Sequence, residues 1–158
     1  MLIDEVEQVQ NPGLGATLIW RFACGYESDE TREPAPLTYA FLVVPLLFNK
    51  KVLNVVASTK KGLRKVEEKL NTEQSLLATS QERVVAMRGL SRESFALALR
   101  TGLISVDTAH ASFRARSIAL PMLQDEGITT LLRAAEKLGT WASQVSLREF
   151  CFVFHLEL

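Results

Sequence analysis

Two short glycine-containing segments have residue types that can bind phosphate groups. The first, GLGA, places Gly13 and Gly15 two positions apart, which is part of the spacing that dinucleotide-binding turns use. It lacks the third glycine of that pattern and opens a predicted helix without a preceding strand. The second, KKGLRK, contains lysines and Gly62 but not the G-x-x-x-x-G-K-[ST] order that surrounds nucleotide phosphates. We therefore expect no nucleotide-hydrolysing loop and no cofactor.

The two histidines and two cysteines are further candidates, because these side chains bind metals and act as nucleophiles. Cys24 and Cys151 lie far apart and lack CxxC spacing, and no pair formed with His110 or His155 has metal-ligand spacing. The sequence also lacks nucleophile elbows, HExxH and paired acids in an apolar frame. We expect a non-catalytic protein without a metal site.

Positively charged side chains are concentrated in one segment and are the strongest candidates for a binding surface. Residues 50–69 contain seven basic residues against two acidic ones, whereas residues 1–35 contain seven acidic residues against two basic ones. Such asymmetry attracts DNA or an acidic subunit surface, although two solvated faces would give the same pattern. The predicted interface residues are Lys50, Lys51, Lys60, Lys61, Arg64, Lys65, Arg114 and Arg116.

The elements that would position these cations follow the order of a winged helix. Capping signals and apolar spacing predict helices at 60–70, 74–88 and 91–100, and the alternation in LISVD and ASFRARS predicts a hairpin at 103–117. The third helix has no Asn or Gln with which to read base edges, which disfavours sequence-specific DNA binding. We assign a winged-helix-like portion to 60–117.

An apolar helix is predicted before this portion. Asn11 and Pro12 form a helix start, and the helix that follows over 12–26 is apolar almost all round, which indicates burial on several sides. The run at 37–48 is continuously apolar, and periodicity leaves strand and helix open there.

The C-terminal part of the chain is predicted to form a helix and a strand. Residues 124–144 have apolar side chains at helical spacing, and the closing segment REFCFVFHLEL alternates as a buried strand does. The first residues, 1–10, are interpreted as an acidic arm. We predict an α+β fold: a predominantly helical single domain over 1–158 with a C-terminal strand.

Composition favours an ordinary globular domain. The 158 residues suit one domain, and the apolar share of 47% and charged share of 23% are near the globular average, which argues against disorder. The longest apolar runs fall short of the ~20 residues that a membrane-spanning helix requires. The N-terminus lacks the layout of a secretory signal. We expect a cytoplasmic protein that does not contact the membrane.

Five segments carry a family resemblance that covers nearly the whole chain. In order they are NPGLGATLIWRFACGY, FLVVPLLF, STKKGLRKVEEK, GLISVD and AAEKLGTWASQVSLREFCFVF. Together they resemble the middle component of prokaryotic three-component ABC-ATPase systems, which are thought to act in conflict with phages or plasmids. Related Lamassu-type defence modules combine an effector, a small middle protein and an ATPase of the structural-maintenance-of-chromosomes (SMC) type.

The resemblance implies an adaptor between an SMC/ABC-type ATPase subunit and an effector subunit. Non-specific DNA contact in the complex is compatible with this role. It supplies no functional residues. The alternative function is a free winged-helix DNA-binding transcriptional regulator, and the third is an enzyme of unrecognised type. Neighbouring genes for a coiled-coil ATPase and an effector would favour the adaptor, whereas an isolated operon would favour the regulator.

Trp20 and Arg21, in the apolar helix, have two interpretations. In the first, the helix belongs to the core of the domain and Arg21 reaches solvent past Trp20. In the second, a partner subunit buries part of the helix, because Trp and Arg are enriched at interface hot spots. A combined outcome is expected, in which Trp20 is mainly core and Arg21 forms a buried or intermolecular ion pair.

Overall fold

The computed structural model describes residues 11–28, 33–72, 80–116 and 126–157. Within these ranges the chain forms helices and a small antiparallel sheet, which confirms the predicted α+β class. The helices are α1 (Pro12–Tyr26), α2 (Tyr39–Leu47), α3 (Lys50–Ser58), α4 (Leu63–Asn71), α5 (Ser80–Ala86), α6 (Arg88–Arg100), α7 (Glu126–Ala142) and α8 (Leu147–Val153). The strands are β1 (Ala35–Pro36), β2 (Ile104–Asp107) and β3 (Ser112–Ala115). The acidic arm predicted at 1–10 lies outside the described residues.

Helix α1 is the central element, and it begins where the Asn-Pro pair predicts. The side-chain oxygen of Asn11 accepts a hydrogen bond from the Leu14 amide at 3.1 Å, and Pro12 occupies the first turn, where no N–H is needed. Helices α6 and α7, strand β3 and helix α2 all pack against α1. Contact on several sides explains why this helix is apolar almost all round.

Glycines allow α1 to approach its neighbours closely. A β-carbon at Gly139 of α7 would overlap the carbonyl oxygen of Phe22, and one at Gly25 would overlap a backbone carbonyl of α7. Gly15 has the same role against the side chain of Ser94 on α6. Gly15, the second glycine of GLGA, therefore serves helix packing.

The apolar run at 37–48 contains a helix, α2, rather than a strand. All of its residues except Phe41 are buried, because α1, α3, α5 and α6 surround it. Pro45 lies in the last turn, and the helix ends at Leu47. No single helix in the described ranges has the length and apolar composition to cross a membrane, whereas α2 and α3 meet this requirement only as a pair, bent by 97°.

The sheet has the strand order β1-β3-β2, and all of its pairs are antiparallel. Strands β2 and β3 form the predicted hairpin, with Val106 opposite Phe113. The alternation of apolar residues predicts this pairing, whereas the short strand β1 has too few residues for a pattern. β1 pairs with the other edge of β3, with Ala35 opposite Phe113.

The helices and hairpin of the winged-helix-like portion occur in the predicted order. Helix α4 packs against α3 and α8, whereas α6 packs against α1 and α2. Helix α5 packs against α2 and α6, so α5 and α6 share a neighbour, whereas α4 contacts another part of the domain. Residues 73–79, where the second of these helices is predicted to begin, lie outside the described residues.

The predicted C-terminal strand is wrong, because this segment forms helix α8. The Ser146 hydroxyl accepts a hydrogen bond from the Glu149 amide at 3.1 Å, which caps the first turn. Alternate phenylalanines suggest a strand, but the buried positions follow a helical spacing, with Phe152 exposed between them. The buried residues are Phe150, Cys151, Val153 and Phe154.

Candidate interaction surfaces

Trp20 and Arg21 are satisfied within the chain itself. Trp20 is only 1% exposed. The Nε and Nη2 groups of Arg21 donate hydrogen bonds to one carboxylate oxygen of Glu136 on α7, at 3.1 and 2.7 Å. The guanidinium also lies 5.5 Å from the Trp20 ring centroid, within cation–π range. The structure favours the core interpretation of α1, with an ion pair inside the domain.

Burial makes the two thiols poor nucleophiles. Burial raises the pKa of Cys24 to about 11 and also raises the pKa of Cys151. Both side chains therefore stay protonated at neutral pH, and they are poor nucleophiles because the thiolate is the reactive form. The described residues contain no group of three His, Cys, Asp or Glu side chains that could hold a metal ion.

The predicted cations of the α3–α4 segment are all exposed, and we call these six residues the basic face. Two lie in the first turn of α3, two in the following loop and two in the first turn of α4. Gly62 precedes α4 with φ of 135°, so the glycine of KKGLRK serves the start of a helix. The basic face consists of Lys50, Lys51, Lys60, Lys61, Arg64 and Lys65, all exposed.

Few acidic side chains offset the positive charge of the basic face. Neither α3 nor α4 has an acidic residue in its first turn, although a helix N-terminus carries partial positive charge of its own. Among the described residues, the basic face forms one ion pair, between Lys65 and Glu68 at 3.2 Å. Lys60 and Lys61 in the loop and Arg64 and Lys65 in the first turn of α4 add their charge to that of the α4 N-terminus, which attracts a negatively charged surface.

Two further lysines hold the loop of the basic face in position. Lys137 of α7 donates hydrogen bonds to the carbonyl oxygens of Ala57 and Thr59, at 2.9 and 3.1 Å. Lys69 donates to the Thr59 hydroxyl at 2.9 Å. These cations stabilise the C-terminal end of α3, where carbonyls lack helical partners. They also fix Lys60, the next residue in the loop, beside α7.

Arg114 and Arg116 lie on another part of the molecule. Both are exposed, Arg114 on β3 and Arg116 just after it. Strand β3 packs against α1, and its Ala115 amide donates a 2.8 Å hydrogen bond to the Glu27 carboxylate at the end of α1. Burial raises the pKa of Glu27. Six of the predicted cations thus lie on α3, on α4 and in the loop between them, and the two arginines lie on β3 and just after it.

Phe152 is a surface residue that the sequence interpretation missed. It is 72% exposed, the largest exposure among the large apolar side chains of the described residues. A groove of about 500 Å³ lies on one side of it, between α4 and α8, and a second of about 380 Å³ lies on the other. Arg64 lines the first groove and also belongs to the basic face. The spacing of Ser146 and Glu149 is a capping signal that could have revealed the helix and its exposed phenylalanine.

Comparison with known proteins identifies the family of the chain. A family model matches residues 2–154 and describes middle component 3 of the ABC-three component (ABC-3C) system. The chain belongs to this family. A search of the curated proteins and a search of the solved structures each found no match. The family resemblance of the sequence is therefore confirmed, and membership of a multi-component system implies partner components for this middle component.

Proposed function

We propose that the middle component is a non-catalytic adaptor that joins an SMC/ABC-type ATPase subunit to an effector subunit. The complex would act in prokaryotic defence against phages or plasmids. The observation that carries this proposal is the exposed Phe152, which shares a groove with Arg64 of the basic face. A large apolar side chain bordered by charge is typical of the anchor and rim of a protein interface.

The side chains around Phe152 indicate what kind of partner surface would dock there. Phe152 and the walls of its α4–α8 groove, among them Leu63 and Val153, offer apolar contact. Arg64 and the rest of the basic face would meet carboxylates at the border of the same contact. Glu67 and Glu149 line this groove as well, so the proposed partner surface is an apolar segment with an acidic residue opposite Arg64 and basic residues opposite these two carboxylates.

Family membership supports the existence of such a partner, and the internal packing of Trp20 disfavours a contact at α1. Trp20 and Arg21 find their partners inside the domain. Phe152 is large, apolar and turned toward solvent. The high pKa of Cys24 supports a non-catalytic role for that thiol.

Co-expression with the products of the neighbouring genes tests this function. An affinity-tagged middle component should recover both an ATPase subunit and an effector subunit in one complex. When the middle component is omitted, a tagged ATPase subunit should not recover the effector subunit. Assembly of those two products without it, or purification of the tagged chain alone, would contradict the adaptor role.

A DNA-binding transcriptional regulator is the second candidate function. The β2–β3 hairpin favours it, because this hairpin follows the helices in the order of a winged helix and carries exposed Arg114 and Arg116. For this function, the isolated chain should bind the promoter of its own operon with a large preference over unrelated DNA. Equal binding to both duplexes would exclude it.

A further inference from the structure

A second charged groove lies between the α3–α4 loop and α7, and we call it the α7 groove. It has a volume of about 310 Å³ and shares no lining residue with the Phe152 groove. Most of its polar lining is cationic, and Trp141 contributes one apolar wall. The cations that line it are Lys60, Arg133 and Lys137.

The positive charge of the α7 groove has little internal compensation. The carboxylate of Glu136, which also lines the groove, already accepts two hydrogen bonds from Arg21. Among the described residues, Lys60 and Arg133 form no hydrogen bond or ion pair through their side chains. Two cationic groups are therefore available to an anion that enters the groove.

Lys137 lines the α7 groove beside the loop that carries Lys60. Its ammonium group is held in place by the carbonyls of Ala57 and Thr59. Burial lowers the pKa of Lys137, and the positive charges of Lys60 and Lys69 lower it further. An anion in the groove would offset this repulsion, and one N–H of Lys137 is not used by the two carbonyls.

We propose that the α7 groove binds a phosphate group. The guanidinium of Arg133 can donate two parallel hydrogen bonds to two oxygens of one phosphate. Lysine ammonium groups attract the phosphate as point charges and do not require one fixed orientation. The hydrogen bonds of Lys137 fix the loop that carries Lys60, so the groove is formed before the ligand enters. The phosphate belongs either to a nucleic-acid backbone or to a free phosphate compound. Lys60 belongs to the basic face as well, but phosphate binding is a property of the isolated chain and does not depend on the adaptor role.

Two probes distinguish these sources. The isolated chain is titrated into a fluorescently labelled DNA duplex at several salt concentrations, and inorganic pyrophosphate is titrated into the chain by calorimetry. The variant Lys60→Gln/Arg133→Gln removes two exposed cations of the groove, whereas Arg92→Gln removes an exposed cation on α6. Melting temperatures equal to that of the unmodified chain verify folding.

A backbone phosphate predicts that the double variant weakens duplex binding about tenfold, and that its log–log salt slope becomes less negative by about 0.9, the value for one phosphate contact. A free phosphate compound predicts that pyrophosphate binding is lost in the double variant, with little change in duplex binding. Arg92→Gln should change either affinity by less than about twofold. Binding of neither probe, or equal losses in the double variant and Arg92→Gln, would overturn the proposal.

Discussion

Arg21 of α1 and Glu136 of α7 are 115 positions apart in the sequence and share two hydrogen bonds to one carboxylate oxygen. The Arg21 side chain is 10% exposed and that of Glu136 is 43% exposed, so the pair lies at the edge of the core. It joins the two helices that cross at Gly25 and Gly139. The only cation of α1 is thereby used to hold α7 in place.

The first prediction concerns the coupling energy of this pair. A double-mutant cycle with Arg21→Ala and Glu136→Ala, measured by urea unfolding, should give about 1–2 kcal/mol, because the hydrogen bonds are charge-assisted and partly shielded from water. The matched control is Lys65 and Glu68, whose side chains are 48% and 62% exposed. Its coupling should stay below about 0.5 kcal/mol. Equal coupling in both cycles would show that the Arg21 pair is only a solvated contact.

The second prediction tests the helix crossing. Gly139→Ala should reduce the free energy of unfolding by about 1–3 kcal/mol or more, since its methyl group would overlap the Phe22 carbonyl. Gly89 of α6 is the control, because nothing lies within 4 Å of a β-carbon there. Gly89→Ala should stabilise the domain by about 0.5–1 kcal/mol through helix propensity. Thermal and urea unfolding of both variants measure the difference, and destabilisation of equal size would refute the close crossing.

The third prediction concerns pH and Glu27. Because burial raises the folded-state pKa of this carboxyl above its ordinary value of 4.5, the folded state binds the proton more tightly than the unfolded state. Its contribution therefore falls as pH rises from 4.5 through the folded-state pKa. Glu27→Gln keeps an oxygen acceptor for the Ala115 amide, and its stability relative to the unmodified chain should increase over that interval.

Unfolding of both proteins by urea, from about pH 4 to about pH 7, measures this difference. Glu93→Gln, at an exposed position on α6, is the matched control. If the stability of Glu27→Gln relative to the unmodified chain fell with rising pH, the pKa of Glu27 would be lowered by folding rather than raised.

The fourth prediction separates core from surface aromatic residues. Trp20→Ala should cost about 3–5 kcal/mol of stability, because the side chain is 1% exposed. Phe152→Ala should change stability by less than about 0.5 kcal/mol, because that ring is 72% exposed. Differential scanning calorimetry on the two isolated variants gives the comparison. A large loss of stability in Phe152→Ala would place that ring in the core instead.

Local signals predicted much of this fold because they act within a few residues. The Asn11 cap and Pro12 fix the start of α1, and alternation predicts the β2–β3 hairpin. The run at 37–48 gave no such signal, because a helix buried on all sides and a buried strand are both continuously apolar.

Two features were outside the reach of the sequence pattern. The pairing of Arg21 with Glu136 depends on where α7 returns to α1, which no local spacing encodes. In the C-terminal segment, the alternate phenylalanines predicted a strand, although the cap at Ser146 is typical of a helix such as α8. The basic face, predicted from charge alone, stays a prediction, and the sequence pattern missed Phe152, whose exposure depends on the helical geometry of α8.

The proposed contact of Phe152 and the basic face with a partner component is tested most directly by its affinity. Phe152→Ala/Arg64→Glu should weaken binding of the purified ATPase or effector subunit by about 2 kcal/mol or more, roughly thirtyfold, with an unchanged melting temperature. Val85→Ala/Arg92→Glu is the control, since Val85 is 50% exposed and Arg92 is also exposed, and it should bind as the unmodified chain does. Unchanged affinity of Phe152→Ala/Arg64→Glu for both subunits would contradict this claim.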